Sequence, residues 1–209
     1  MLADIVHVWW ASTEDLSEEH ARWLDDTERE RLGRLRGTGD GDRFVLGAAL
    51  LRALVADLDG TDPASVALDR TCPRCGEQHG PVTAPGRAWQ VSVSHSGTYA
   101  VAAAAAGPVG VDVETHCPAD WRDLLPRVLA HGESEPADEL AFLATWVRKE
   151  AVVKATREGL SRALPTVTLA DPPNGLLVRG LDVPGAVAAV AFGGVRPGPA
   201  PVARRWPRG

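Results

Sequence analysis

The run Gly107-Pro108-Val109-Gly110-Val111-Asp112-Val113-Glu114 pairs a chain break with a strand. Residues i and i+2 of a strand share a face, so Asp112 and Glu114 project together while Val111 and Val113 pack on the other side. Two parallel carboxylates repel each other unless positive charge sits between them. A hard cation such as Mg²⁺ meets that need, because it takes one or two carboxylates plus the phosphate oxygens of a substrate. An exposed acidic pair at a strand end is the plainer account of the same two residues. Gly107-Pro108, just before them, divides the chain.

Downstream of this run, residues 121–130 and 138–156 read as helices, and 167–170, 175–181 and 186–192 as strands. The Pro- and Arg-rich end, 196–209, reads as an extended tail. Upstream, Ile5-Val6-His7-Val8-Trp9-Trp10 opens the chain as a strand, and Ser17 is placed to cap a helical stretch. Phe44, Leu46, Leu50, Leu51, Leu54, Val55 and Leu58 recur at three- and four-residue steps, which gives a second helix one apolar face. Residues 60–88, rich in Gly and Pro, read as loop with short strands. Trp89, Val91 and Val93 then alternate with Gln90, Ser92 and Ser94, a half-buried strand. Ser94-His95-Ser96-Gly97 reads as a turn into Tyr99–Ala106. The alanines there suit helix or strand, and the bracketing glycines favour strand. Strand–helices–strands thus occurs twice, an α+β chain of two similar-sized halves, 1–107 and 108–209. No residue-level repeat relates them.

Composition narrows the function classes. Of 209 residues, 44% are hydrophobic and 24% charged, a balance that builds a core rather than a disordered chain. A net charge of −6 argues against a general nucleic-acid binder. No apolar run approaches the roughly 20 residues of a membrane span, and the N-terminus lacks the basic and apolar regions of a signal peptide. The expectation is a cytoplasmic protein off the membrane. Three cysteines, Cys72, Cys75 and Cys117, cannot all pair within the chain. Cys72-Pro73-Arg74-Cys75 with His79 has the spacing of half a zinc site; closing it with four ligands would need Cys117 or His131 from afar.

Two further segments carry candidate chemistry. On a helix, Trp146, Glu150 and Lys154 share one face. They are either an apolar anchor with a surface ion pair, or a metal ligand (Glu150) beside a phosphate contact (Lys154). Ser92-Val93-Ser94-His95-Ser96-Gly97 lacks the first glycine of a nucleophile elbow. A turn presenting hydroxyls, an imidazole and amide N–H groups suits a phosphate better, though a plain hairpin turn uses the same residues.

Taken together and in this order, Ser92–Gly97, Gly107–Glu114 and Trp146–Lys154 resemble the surfactin-synthetase-activating type of phosphopantetheinyl transferase. That family shows a serine-histidine turn, a G-[IV]-D-[IV]-E strand and a W-x-x-K-E-[AS]-x-x-K helix. Arg43-Phe44-Val45-Leu46-Gly47 with Leu51-Arg52 is similar to the family's helix after its basic region, and Glu28-Arg29-Glu30-Arg31 to that region itself. The resemblance spans about residues 25 to 160. It implies two α+β halves packed as a pseudo-dimer that can act as a monomer, with coenzyme A between them. It implies that Asp112, Glu114 and Glu150 hold Mg²⁺, and that Asp112 and Lys154 also face the cofactor phosphates. Ser94, His95, Arg31 and Arg43 are further cofactor contacts, and Glu150 or Lys154 accepts the proton. The implied reaction moves phosphopantetheine from coenzyme A to a serine of an apo acyl or peptidyl carrier protein. A metal-dependent coenzyme A hydrolase and a silent carrier-binding module are the competing readings. Two departures stand out. The family's G-[KR]-P loop is shortened here to Gly80-Pro81, so that contact is absent or supplied by Arg74 or Arg87. The glycine after the second lysine is replaced near Arg157, although Gly159-Leu160 is kept.

Overall fold

The computed structural model describes residues 5–35, 39–117, 120–158, 162–194 and 200–206. The first half runs β1 (His7–Ser12), α1 (Glu18–Arg22), α2 (Asp26–Arg34), α3 (Asp40–Asp59), β2 (Gln90–Ser96) and β3 (Tyr99–Ala105). The second runs β4 (Val109–Glu114), α4 (Trp121–Val128), α5 (Glu139–Thr156), β5 (Leu177–Val183) and β6 (Ala186–Phe192), and β7 (Ala203–Arg205) ends the described chain.

The sheets have strand orders β2-β3-β1-β7 and β4-β6-β5. Both halves follow one path: a first strand, helices, then a two-residue hairpin whose second strand inserts antiparallel beside the first. The α+β architecture of two like halves is therefore present in the connectivity, although no residue repeat announces it.

Four layers result. Leu50 and Leu54 of α3 pack on one face of the first sheet, against Val91, Ala100, Ala102 and Ala104. Val8, Trp10, Val101 and Ala103 on its other face meet Val111, Val113, Val190 and Phe192 of the second sheet. Val147, Ala151 and Val152 of α5 cover the far side through Ala189 and Ala191. Strand β3 lies between a helix and a sheet, and Ala100–Ala105 are all 0% exposed. Alanine favours helix intrinsically, but here tertiary packing decides: small side chains let both neighbours approach a strand buried on both faces.

Helix α3 is apolar nearly all round rather than on one face. Val45 and Ala48 are covered by Leu16, Leu24 and Leu32 from the α1–α2 region. The helical stretch after Ser17 is split, because Asp25 caps a new helix: its carboxylate accepts from Glu28 N at 2.8 Å. Within it, Arg52 of α3, 1% exposed, forms a fork with Glu28 of α2 at 2.6 and 3.2 Å.

Three expectations fail locally. Residues 167–170 form no strand: they lie between short 3₁₀ turns at Leu164–Thr166 and Pro173–Gly175, each with a proline at its start. Residues 60–88 hold only a 3₁₀ turn and one isolated bridge, Asp69 to Thr83. The tail is not merely extended. Residues 203–205 add a parallel strand to β1, and Trp206 is buried beside His20 and Trp23, its backbone N–H donating to Trp10 O at 2.8 Å. An indole at 8% exposure fixes the end of the described chain to the first half. No helix among the described residues is long and apolar enough to cross a membrane.

Candidate active site

The site forms where edge strand β2 of the first sheet lies against edge strand β4 of the second. Ser92 and Ser94, read from sequence as the polar face of a strand, and Ser96, read as part of the turn, are buried and point at β4. Their hydroxyls form a ladder. Ser92 Oγ accepts from Val111 N at 3.1 Å, Ser94 Oγ donates to Asp112 Oδ1 at 2.7 Å, and Ser96 Oγ donates to Glu114 Oε2 at 2.6 Å. The expected turn at 94–97 is therefore mostly strand, and the reversal falls at residues 97–98. The strand period explains the ladder: residues at steps of two share one face, so three serines meet consecutive groups of the opposing edge. His95, on the other face of β2, opens into the cleft.

Helix α5 approaches β4 closely because residue 110 is glycine. A Cβ there would lie 2.1 Å from Ala151 O and 2.3 Å from Ala155 N. Any other side chain would push the helix away, so the glycine sets how near Glu150 and Lys154 come to Asp112. Lys149, one residue from Glu150, is 0% exposed and donates to Glu133 Oε2 at 2.5 Å, which anchors α5 on the opposite side. Trp146 contributes to a separate apolar cluster with Trp121 and Phe142 rather than to the site.

Lys154 Nζ donates to Asp112 Oδ1 at 2.6 Å and to Ser94 Oγ at 2.9 Å. The other oxygen, Asp112 Oδ2, is buried with no partner. A buried carboxylate oxygen left without a donor is costly, and it fits a group that a cation would complete. Loss of water, then the charge of Asp112, hold Glu150 above the usual carboxylate range; Glu114 adds to the effect. Glu114 is raised by the same loss of water and by Asp112, against the pull of its Ser96 hydrogen bond. The three carboxylates thus sense one another across the strand–helix contact. Their oxygens are nevertheless not drawn into a tight trio: among the described residues, the group whose ligand atoms all lie within 4.8 Å of one another is Cys72, Cys75 and His79.

Beside this acidic corner the walls are basic. Arg31, Arg70, His95 and Lys154 line a pocket of about 180 Å³. It adjoins a cleft of about 1270 Å³ between the halves, lined by Arg70, Arg74, His79, Glu150, Lys154 and Arg157 among others. Loss of water lowers the His95 pKa, and Lys154, Arg43 and Arg70 lower it further. Arg31 stacks over Phe44 at 5.0 Å. Arg43 stands near His95 but is engaged by Asp40 and does not line the pocket. Arg87 lies away from the cleft, paired with Asp59 at 3.1 Å. Arg70 was missed in the sequence: it sits in a loop with no period, and only the folded chain turns it inward, where burial lowers its pKa.

Two family profiles match adjoining parts of the chain. One, described as 4'-phosphopantetheinyl transferase, N-terminal, matches residues 8–107; the other, the 4'-phosphopantetheinyl transferase superfamily, matches 108–182. The chain belongs to the 4'-phosphopantetheinyl transferase superfamily.

Relatives agree with that assignment. A 4'-phosphopantetheinyl transferase of Bacillus pumilus is 29% identical over 149 residues, covering 68% of this chain and 61% of its own length. One of Bacillus subtilis is 26% identical over 148 residues, covering 68% of this chain and 64% of its own. The matched region therefore spans a little under two thirds of these relatives. Against the superfamily pattern, the departure at Arg157 has a structural account. Arg157 follows α5 with φ of 60°, the left-handed position where glycine is favoured. Its guanidinium donates to Val82 O at 3.0 Å, a tie from helix to loop that glycine could not make. Gly159-Leu160 lie outside the described residues.

Proposed function

We propose that this chain transfers the phosphopantetheine arm of coenzyme A to a serine hydroxyl of an apo acyl or peptidyl carrier protein, releasing 3′,5′-ADP. The observation that carries the reading is Asp112: one oxygen bonded to Ser94 and Lys154, the other buried without a partner, beside a basic cleft. That juxtaposition suits a pyrophosphate, which needs cations along its oxygens and a strong negative locus for a counter-ion. The superfamily and its named relatives support the same choice.

Asp112, Glu114 and Glu150 are the residues that would hold Mg²⁺. When bound, that ion supplies Lewis-acid stabilisation of charge on the pyrophosphate and a template for its oxygens. Arg31, Arg70 and His95 bind the phosphates of the nucleotide end. Lys154, already a donor to Asp112 and Ser94, donates to the pyrophosphate as negative charge grows there. Glu150, the carboxylate that α5 brings to the cleft, takes the proton of the attacking serine. The carrier oxygen forms a bond to the β-phosphorus, and the bond to the bridging oxygen of 3′,5′-ADP breaks.

The test is mass spectrometry of apo-carrier domains after incubation with coenzyme A and Mg²⁺. The expected result is a phosphopantetheine adduct that EDTA prevents and Mg²⁺ restores. Release of 3′,5′-ADP at the same rate without any carrier would replace the transferase with a hydrolase.

A further inference from the structure

The loop between α3 and β2 carries a second cluster, on the wall of the cleft. Cys72, Cys75 and His79 place their ligand atoms within 4.8 Å of one another, with Cys75 Sγ 3.0 Å from His79 Nε2. Tetrahedral zinc with bonds of about 2.0–2.3 Å holds its ligand atoms about 3.3–3.8 Å apart, so the trio needs only small side-chain adjustments. The backbone is already folded for the purpose. Cys72 N donates to Glu77 O at 2.7 Å, Gly76 N to Cys72 O at 2.9 Å, and Gly80 N to Arg70 O at 2.6 Å. A Cβ on Gly80 would stand 2.6 Å from Thr71 O and 2.8 Å from Cys72 Cα, so this closure requires glycine.

No disulfide links the cysteines. Backbone N–H groups of Arg74 and Cys75 donate to the Cys72 sulfur, a set of donors that suits a thiolate ligand. Thiolate and imidazole donors select zinc over the hard ions that carboxylates prefer. Cys75 and His79 are exposed while Cys72 is buried, and Cys72, Arg74, His79, Gly80 and Pro81 all line the cleft.

We propose that Cys72, Cys75 and His79 bind one zinc ion, a water completing its four-ligand shell on the cleft side, and that the ion staples the loop carrying Arg70, Arg74 and Pro81. Two thiols lose their protons on binding, so the two thiolates and the ion sum to zero charge and the cleft keeps its arginines as the cationic wall. The role is structural: it fixes the position of Arg70, whose loop is otherwise tied to α5 by Arg157. It stands apart from the transferase reading, since the ligands are not the carboxylate set.

Metal binding by the reduced full chain tests this directly. Zinc retained after gel filtration is expected at one ion per chain, and Co²⁺ in its place should give a thiolate charge-transfer band with tetrahedral d–d absorption. Cys75→Ser and His79→Ala, both at exposed positions, should weaken affinity by at least about tenfold. Cys117→Ser should leave it unchanged. Circular dichroism checks that these variants fold. Zinc should also slow amide exchange at Cys72 and Gly80 in the parent chain but not in His79→Ala. Absence of stoichiometric zinc in the reduced protein, or equal affinity and an unchanged cobalt spectrum in both variants, overturns the site. Binding without any change in amide exchange overturns the staple.

Discussion

The two halves share a chain path, and one buried charge cluster in each is built in the opposite way from the other. In the first, Arg52 and Glu28 close on each other in a two-bond fork with almost no exposure. In the second, Asp112, Glu114 and Glu150 gather as like charges, and one oxygen of Asp112 has no partner. The first arrangement holds a helix in place. The second is unfavourable until something positive arrives, and Lys154 compensates only one of its oxygens. The same topology therefore carries a scaffold pair once and a candidate site once, and the difference lies in whether the gathered buried charges are opposite or alike.

Substitutions in each half should break this contrast in different observables. Asp112→Asn keeps the side chain's shape and should reduce carrier modification by on the order of 10²–10³-fold, as when one electrostatic contact to a developing charge is lost. Its melting temperature should stay at or above the parent's; a large drop would make Asp112 a scaffold residue and erase the distinction. Arg52→Ala should act the other way. Removing one member of a buried pair costs about 3–5 kcal/mol, to be read from denaturant unfolding, and the fraction that stays folded should still modify carriers.

Gly110→Ala sharpens the comparison at the contact between strand and helix. Its Cβ would meet α5 backbone, so a stability loss of about 1–3 kcal/mol and a coupled loss of transfer are expected. Loss of stability alone would mean that the closeness of α5 is not what serves the site. The smallest effect is a pH slope. Glu114 and Glu150 are raised in the folded protein, so between the ordinary carboxylate value of 4.5 and their raised values the folded state binds more protons than the unfolded. Stability contributed by these groups is then present below that window and falls as pH rises through it. Thermal melts without metal should show this decline toward neutrality. Glu150→Gln should flatten it, and Mg²⁺ should restore stability to the parent but not to the variant.

Much of this was legible before folding was considered. The period of two in Val109–Glu114 and the helical step from Glu150 to Lys154 put the acidic set and its lysine on the correct elements, and the structure brings them to one corner. Ser92 and Ser94 were legible as one polar face and Ser96 as turn, but not their shared partner, because alternation tells which residues share a face and not what lies opposite. Arg70 and the Trp206 anchor gave no periodic signal at all.

Local physics, then, fixed what each segment became: steric period, capping residues and chain breakers act over a few neighbours, so strands, helices and their faces can be read from order alone. The partnerships were decided only in three dimensions. Arg52 with Glu28, Ser94 with Asp112 and Lys154, and Trp206 with the first sheet each join residues far apart in sequence. Such contacts depend on how two edge strands and a closely seated helix meet, and no short window of residues contains that information.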